Sequence, residues 1–227
     1  MANVLNFTVD KYPNDLLADI FNHQHELAIK YLPIEKSNGL CLYDIIPADI
    51  DDPKAQAKIK DMSWRAIEEV AEAIEAFDKG EQIHFLEELA DALHFLIEKY
   101  LLCDFYPYHA NSCSRYFPTQ NIKPTGDLAS WFHDIGPVIP KETRRPELYM
   151  AAAEYMVASG LTCNCLKNKP WKQSHVLTDE RYFREKLIEE FRAFIKLCFI
   201  AGLDATALYD MYLRKNQVNK FRQKSNY

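Results

Sequence analysis

The chain is poor in glycine, with only six in 227 residues. Proteins built from β-sheets use glycine in tight turns and bulges, so this scarcity favours helices. No apolar run approaches the roughly 20 residues that a membrane-spanning helix requires. The start of the sequence, residues 1–4, lacks the basic and then apolar layout of a secretory signal. We therefore expect a largely helical, cytoplasmic protein with no membrane partner.

Positive charge is also in deficit, with 27 Lys and Arg residues against 33 Asp and Glu residues and a formal net charge of −6. Proteins that coat nucleic acids present basic faces to the phosphate backbone, so no nucleic-acid partner is expected. The charge balance does not exclude the binding of a single nucleotide, because a few local basic side chains are enough for that.

The six cysteines follow no regular spacing. Without an export signal, this pattern favours reduced thiols over a disulfide framework. Cys163 and Cys165, with His109 or His175, offer the ligand types of a zinc site. Their spacing differs from the two-to-four-residue gap of zinc ribbons, so we do not predict zinc binding.

The periodicity of apolar residues predicts the helices. Pro33 is expected to stop the first helix, Gly80 to close the second, and Gly160 to follow the fourth. Residues 34–52 and 103–145 contain prolines and little periodicity, and are predicted to be irregular. The predicted helices cover residues 14–31, 54–78, 82–102, 146–159 and about 178–201, with a last one beginning at Asp204.

These elements predict an all-α protein with a four- or five-helix bundle core in a single domain over residues 1–227. Residues 103–175 are expected to form a partly irregular insertion or a lid. The connection between the second and third helices is very short, so the two helices are predicted to be antiparallel neighbours.

Acidic side chains interrupt the apolar pattern of these two helices. Glu69 and Glu72 lie three residues apart on one helix, and Glu88 and Asp91 lie three apart on the next. Positions three apart share a helical face, so the two pairs can face one another. Clustered carboxylates repel unless cations are present, and oxygen ligands suit Mg²⁺ or Mn²⁺. Two such ions about 4 Å apart would activate water and hold phosphate oxygens.

Two other interpretations of the acids are a solvated acidic face and a di-iron site. A solvated face is the ordinary interpretation of any single Glu pair, but these helices lack a wide polar face. A di-iron bundle requires two Glu-x-x-His units on different helices. Glu81-x-x-His84 and Asp91-x-x-His94 lie on or beside the same helix, which excludes a standard di-iron site.

Basic side chains recur near the C-terminus. Lys215, Asn219 and Arg222 are spaced to share one side of a helical turn, and Lys and Arg both suit phosphate oxygens. From charge alone, a frayed basic tail is the more ordinary interpretation. The predicted metal site elsewhere in the chain would act on a phosphate substrate, which needs basic ligands. This favours a functional role for the basic residues near the C-terminus.

Together these motifs resemble a known family. The pattern Glu69-x-x-Glu72, a gap of fifteen residues and Glu88-x-x-Asp91 resembles the metal signature of the all-α nucleotide pyrophosphatases related to MazG. The narrower resemblance is to the dimeric dUTPases of trypanosomatids, some bacteria and phages, and to the related phage dCTPase-dUTPase. It is carried by Asp91-x-x-His94-Phe95 and by the ending Lys215-Asn216-x-x-Asn219-x-x-Arg222-Gln223-x-x-x-Tyr227.

The resemblance implies a homodimeric enzyme of phage or bacterial type that hydrolyses dUTP to dUMP and pyrophosphate and so keeps uracil out of DNA. It also implies dUDP as a further substrate. An alternative substrate for the same metal site is dCTP or another nucleoside triphosphate. An alternative class of protein is a helical interaction protein whose acids are surface residues. Glu69, Glu72, Glu88 and Asp91 would hold two or more Mg²⁺ ions, and Glu68 or Glu69 would orient the attacking water. The implied substrate-binding residues are Gln24, His94, Lys215, Asn216, Asn219, Arg222 and Tyr227.

Two features depart from the family pattern. Asn226 stands where the family usually has glycine before the final tyrosine. The stretch Phe77-Asp78-Lys79-Gly80 stands where many members carry a Trp-Trp-type element between the acidic helices, which puts the contacts to the base in question.

Overall fold

The computed structural model describes residues 11–39, 41–107, 127–169 and 171–224. Within these ranges the chain forms seven α-helices and no strand, which confirms the all-α prediction. None of these helices combines the length and hydropathy of a membrane span. The helices are α1 (Leu16–Ser37), α2 (Pro53–Lys79), α3 (Gln82–Leu102), α4 (Leu128–Ile135), α5 (Arg145–Cys165), α6 (Glu180–Ile200) and α7 (Ala205–Lys224).

The residues that begin and end α2 explain the hairpin that it forms with α3. The Asp52 carboxylate accepts hydrogen bonds from the backbone amides of Lys54 and Ala55, at 2.6 and 3.0 Å, and so begins α2. Gly80 ends it with a φ of 76°, a left-handed conformation that glycine adopts without strain. The chain then turns directly into α3, so these two helices pack along much of their length. The predicted bounds of α3 are confirmed.

The predicted end of α1 at Pro33 is wrong, because the helix continues to Ser37. Proline removes one helical hydrogen bond but does not prevent the chain from continuing when other contacts hold the next turn. Here Glu35 pairs with Lys58 of α2 at 2.7 Å, and Lys36 pairs with Asp44 at 2.5 Å. These ion pairs hold the last turn of α1 in place.

The predicted end of the fourth helix at Gly160 is also wrong, because α5 continues to Cys165. Gly160 has a negative φ and open space beside its Cα atom. Beyond it, Thr162 is buried and donates a hydrogen bond to the carbonyl of Lys186 in α6 at 3.1 Å. Packing between helices therefore outweighs the low helical propensity of glycine.

The core joins α3 to the later helices. Tyr100, Phe191 and Phe194 are fully buried, and α5 and α4 pack against α6. The pair between Lys99 and Glu190 is also completely buried, with the Lys99 ammonium 2.8 and 2.7 Å from the two carboxylate oxygens. This pair ties α3 to α6 in the middle of the core.

The region 103–145, predicted to be irregular, contains α4, whose Trp131 is buried in the core. In α5, Leu148 and Tyr155 are fully buried. The described part of residues 103–175 thus contributes to the core, while residues 108–126 lie outside the described ranges. The role of this region as a lid stays a prediction.

Candidate active site

Three carboxylates meet where α2 and α3 pack together. Glu69 of α2 and Glu88 and Asp91 of α3 each place an oxygen within 4.8 Å of the others. Glu88 is buried, and Glu69 and Asp91 are partly buried. A donor set made only of carboxylate oxygens suits a hard divalent cation such as Mg²⁺ or Mn²⁺. We call these three residues the carboxylate group.

Burial and mutual repulsion disturb the ionisation of the carboxylate group. The pKa of Glu69 is raised to about 8, first by desolvation, then by a hydrogen bond with Glu88 and by the charges of Asp91, Glu88 and Glu72. Burial also raises the pKa of Asp91, although Lys215 opposes this effect. At neutral pH, Glu69 therefore keeps a proton that a bound cation would displace.

Two predicted acids are not members of the carboxylate group. Glu72 is exposed, and its charge raises the pKa of Glu69, so it lies nearby. Glu68 is also exposed, and it accepts a hydrogen bond of 2.7 Å from the indole nitrogen of Trp64, one turn earlier on α2. Glu72 is therefore close to the carboxylate group, whereas Glu68 contacts Trp64.

Two basic side chains contact the carboxylate group. Lys215 of α7 places its ammonium 2.5 Å from Asp91 Oδ2. His84 Nδ1 lies 2.8 Å from Glu88 Oε1. Lys215 was predicted as a substrate ligand, whereas His84 was not predicted as a site residue. The signal for His84 was its position four residues before Glu88, on the same face of α3.

Four buried polar side chains form a second group, which we call the Gln24 cluster. His94 of α3 stacks on Tyr212 of α7 with ring centroids 4.2 Å apart. The Tyr212 hydroxyl lies 3.1 Å from Gln24 Oε1 and 3.2 Å from the carbonyl of Ile20. Asn216 Nδ2 donates to the Tyr212 hydroxyl at 3.4 Å. Each member, Gln24, His94, Tyr212 and Asn216, is 5% exposed or less.

The hydrogen bonds of His94 determine its tautomer. Nδ1 lies 2.8 Å from the carbonyl of Ala90, and a carbonyl only accepts, so Nδ1 carries the hydrogen. Burial lowers the pKa of His94 to about 4, so the ring is neutral at pH 7. Nε2 is then an acceptor, and within the described part of the chain it has no hydrogen-bond partner. Nε2 is therefore a buried acceptor, and a hydroxyl group is a donor of the kind that would satisfy it.

The remaining predicted ligands lie further along α7. Asn219 is partly buried, and Arg222 is exposed. The charge of Arg222 lowers the pKa of Asp91 and that of Tyr31, which places it near both α3 and α1. Tyr227, like Asn226, lies outside the described residues.

The sequence analysis missed Tyr212, which contacts each of the other three members of the Gln24 cluster. The available signal was its position four residues before Asn216, which places both on one face of α7. A single tyrosine on a helix more often belongs to the apolar core. Tyr212 combines both roles, since its ring is fully buried.

Two surface cavities, of about 250 and 500 Å³, lie away from these residues. They are next to each other along α5 and α6, share Leu161 and contain no member of the carboxylate group or the Gln24 cluster. We place the candidate site at the carboxylate group, because that is where ligand atoms converge.

The stability of the metal-free protein should fall as the pH rises from 6.5 to 8. The folded state holds the Glu69 proton up to a pKa of about 8, whereas the unfolded chain releases it near 4.5. His94 acts in the opposite direction only below pH 6.5, its ordinary pKa. Thermal unfolding with a chelator present will measure the decline, with about 2–4 °C expected for each kcal/mol in a chain of this length.

The matched variants for this measurement are Glu69→Gln and Glu75→Gln. Glutamine at position 69 removes the titrating group, so the slope between pH 6.5 and 8 should flatten. Glu75 lies on the exposed side of α2 and pairs with Lys79, so its variant should keep the slope of the parent. An unchanged slope in Glu69→Gln would show that the carboxylate group does not hold a proton in the metal-free protein.

Comparison with known proteins adds an independent result. A family model described as dUTPase matches residues 69–227, which is well over half of the chain. The match begins at Glu69 and covers the rest of the carboxylate group and all of α7. Neither a curated protein nor a solved structure gives a significant match. The family match confirms the resemblance drawn from the motifs, and the chain belongs to the all-α family of dimeric dUTPases.

Proposed function

We propose that the protein hydrolyses dUTP to dUMP and pyrophosphate with magnesium ions, and that it acts as a homodimer in the cytoplasm. The observation that carries the proposal is the convergence of Glu69, Glu88 and Asp91 within a chain that belongs to the dUTPase family. Hydrolysis of dUDP to dUMP and phosphate at the same site is part of the proposal.

The acidic residues fit a divalent metal site in their chemistry. Glu69, Glu88 and Asp91 supply oxygen ligands, and Glu72 at the edge of the group would supply a further one. When bound, Mg²⁺ lowers the pKa of water and neutralises the charge of phosphate oxygens. Glu69 would have to lose its proton to act as a ligand, so metal affinity should increase with pH. Glu68 or Glu69 would orient the attacking water.

The residues of α7 would receive the phosphates. The ammonium of Lys215 pairs with Asp91. The same ammonium would bind triphosphate oxygens if a cation held the Asp91 carboxylate. Arg222, which lies near Asp91, would bind the same anion, and Asn219 and Tyr227 are proposed as further ligands to the sugar or phosphates.

The Gln24 cluster would hold the nucleoside. His94 offers the acceptor Nε2, which suits the sugar 3′-hydroxyl as a donor. Gln24 and Asn216 lie in the same cluster and supply amide groups that can pair with a base or a sugar. The dense packing around the stacked rings of His94 and Tyr212 favours a deoxyribose, since a 2′-hydroxyl would need space and a partner.

A panel of nucleotides tests this proposal. With Mg²⁺ present, pyrophosphate release should be fastest from dUTP, with dCTP as the main competitor. UTP should be about a hundredfold slower in kcat/KM, because a buried hydroxyl without a partner costs a few kcal/mol. dTTP should be poor, since its methyl group would clash in a tight pocket around C5.

The outcomes of the panel separate the alternatives. Equal kcat/KM for UTP and dUTP would refute the sugar argument. A preference for dCTP or a purine would keep the metal site and change the substrate. No pyrophosphate release from any nucleotide, with magnesium or manganese, would favour a helical interaction protein with surface acids.

A further inference from the structure

A partly buried ion-pair network contacts Gln24 through its amide nitrogen. Gln24 Nε2 donates a hydrogen bond of 3.3 Å to Glu98 Oε2. The ammonium of Lys58 lies 4.0 Å from the other oxygen of Glu98 and 2.7 Å from Glu35. Lys58 is only 5% exposed. The network joins α1, α2 and α3 and includes none of the residues assigned above to metal or substrate.

Both ends of the Gln24 amide are therefore engaged. A carboxylate only accepts hydrogen bonds, so Glu98 requires the NH₂ group to face it. The Tyr212 hydroxyl lies at the other end, 3.1 Å from Oε1. A hydroxyl both donates and accepts, so Tyr212 alone would tolerate either orientation of the amide. Glu98 is the residue that excludes the flipped amide, whose oxygen would meet carboxylate oxygens.

Lys58 supplies a positive charge to Glu98. A buried carboxylate is costly unless it is paired, and Lys58 supplies the opposite charge. Burial raises the pKa of Glu98, and Lys58 is the first of the groups that lower it again. Glu35 balances the charge of Lys58 from the more exposed side of the network.

We infer that Glu98, held by Lys58, is a positioning residue that makes the site discriminate between uracil and cytosine by fixing the amide of Gln24. The inference rests on the proposed function, in which Gln24 contacts the nucleoside. Beyond its bonds to Glu98 and Tyr212, the amide retains one N–H donor and one acceptor lone pair.

Uracil and cytosine present opposite patterns to such an amide. Uracil has an acceptor at O4 beside a donor at N3, whereas cytosine has a donor at N4 beside an acceptor at N3. An amide that can flip pairs with either edge, as glutamine side chains are able to do. An amide fixed by Glu98 pairs with the edge of only one of these two bases. The contact between Gln24 and the base then discriminates between uracil and cytosine.

The variant Glu98→Gln tests the inference. Glutamine has nearly the same size and can donate or accept, so it releases the Gln24 amide without opening a cavity. Lys58 keeps Glu35 as its partner, so the fold should persist, as circular dichroism will show. The ratio of kcat/KM for dUTP to that for dCTP should move about tenfold toward one. General damage to the fold would lower both values together and leave the ratio unchanged.

A second measurement does not depend on turnover. With ¹⁵N-labelled glutamine, the side-chain NH₂ signal of Gln24 can be assigned through its loss in Gln24→Asn. This signal should shift in Glu98→Gln and stay unchanged in Glu26→Gln, which removes an exposed carboxylate of α1 that pairs with Lys220. If the single variant at position 98 is unstable, the double variant Glu98→Gln/Lys58→Gln removes both charges and carries the same expectation.

The outcomes distinguish this inference from the proposed function. An unchanged ratio in folded Glu98→Gln, or an unchanged Gln24 signal, overturns the positioning role. Failure of the parent protein to hydrolyse dUTP and dCTP overturns the proposed function, and the Gln24 signal then still decides whether Glu98 fixes the amide.

Discussion

Replacing Asp91 by asparagine should lower kcat/KM for dUTP by about a thousandfold or more, with the fold intact. A single donor aimed at transition-state charge is typically worth about 10²–10³ in rate, and a metal ligand supports both the water and the phosphates. Asp91 is one of three carboxylates that converge, so the other two cannot supply the missing oxygen. Pyrophosphate release and Mg²⁺ titration by calorimetry will measure the loss.

The control for this variant is Glu75→Gln, which removes a charge of the same sign from the exposed face of α2. It should keep full activity. Glu88→Gln should behave like Asp91→Asn, since both residues belong to the carboxylate group. More than a tenth of the parent activity in a folded Asp91→Asn protein would refute the assignment of the metal site.

Replacing Lys215 by glutamine should change metal and substrate binding in opposite directions. The ammonium 2.5 Å from Asp91 Oδ2 occupies the place of a cation, so its loss should tighten Mg²⁺ binding to the free enzyme severalfold. The same change removes a charged phosphate ligand. We expect kcat/KM for dUTP to fall about a hundredfold, with a higher KM and a lower kcat, because the lysine would also align the leaving group.

Lys220→Gln is the matched control on the same helix. Lys220 pairs with Glu26 of α1 and has no contact with the carboxylate group. Its variant should leave both Mg²⁺ affinity and kcat/KM close to the parent values. Normal kinetics in Lys215→Gln would mean that this lysine only neutralises Asp91 in the metal-free protein.

The carboxylate group was predictable from the sequence because helical geometry is local. The spacing of Glu88 and Asp91 is enough to place them on one face of a helix. Gly80 predicts the turn that brings Glu69 opposite them. The contact between Lys215 and Asp91 was harder to predict from the sequence, because it depends on the packing of α7 against α3. In the sequence, only the family resemblance indicated that the segments of Asp91 and Lys215 belong to one site.

The network around Glu98 was not predictable in the same way. Glu98 lies four residues after His94, but its neighbours Lys58 and Glu35 come from two other helices. Glu35 lies beyond Pro33, in a turn of α1 that local propensity would have ended. Contacts between helices decide such features, and a single sequence contains no direct signal for them.

The completely buried pair of Lys99 and Glu190 restricts which substitutions this sequence can accept during evolution. Removing one partner leaves an uncompensated charge in the core, at a cost of about 3–5 kcal/mol out of a total stability of about 5–15 kcal/mol. Replacing both by apolar residues of similar volume is often neutral or favourable. A lineage cannot reach that state by single neutral steps. We therefore expect positions 99 and 190 to change together among descendants of this chain, or only after other substitutions have added stability.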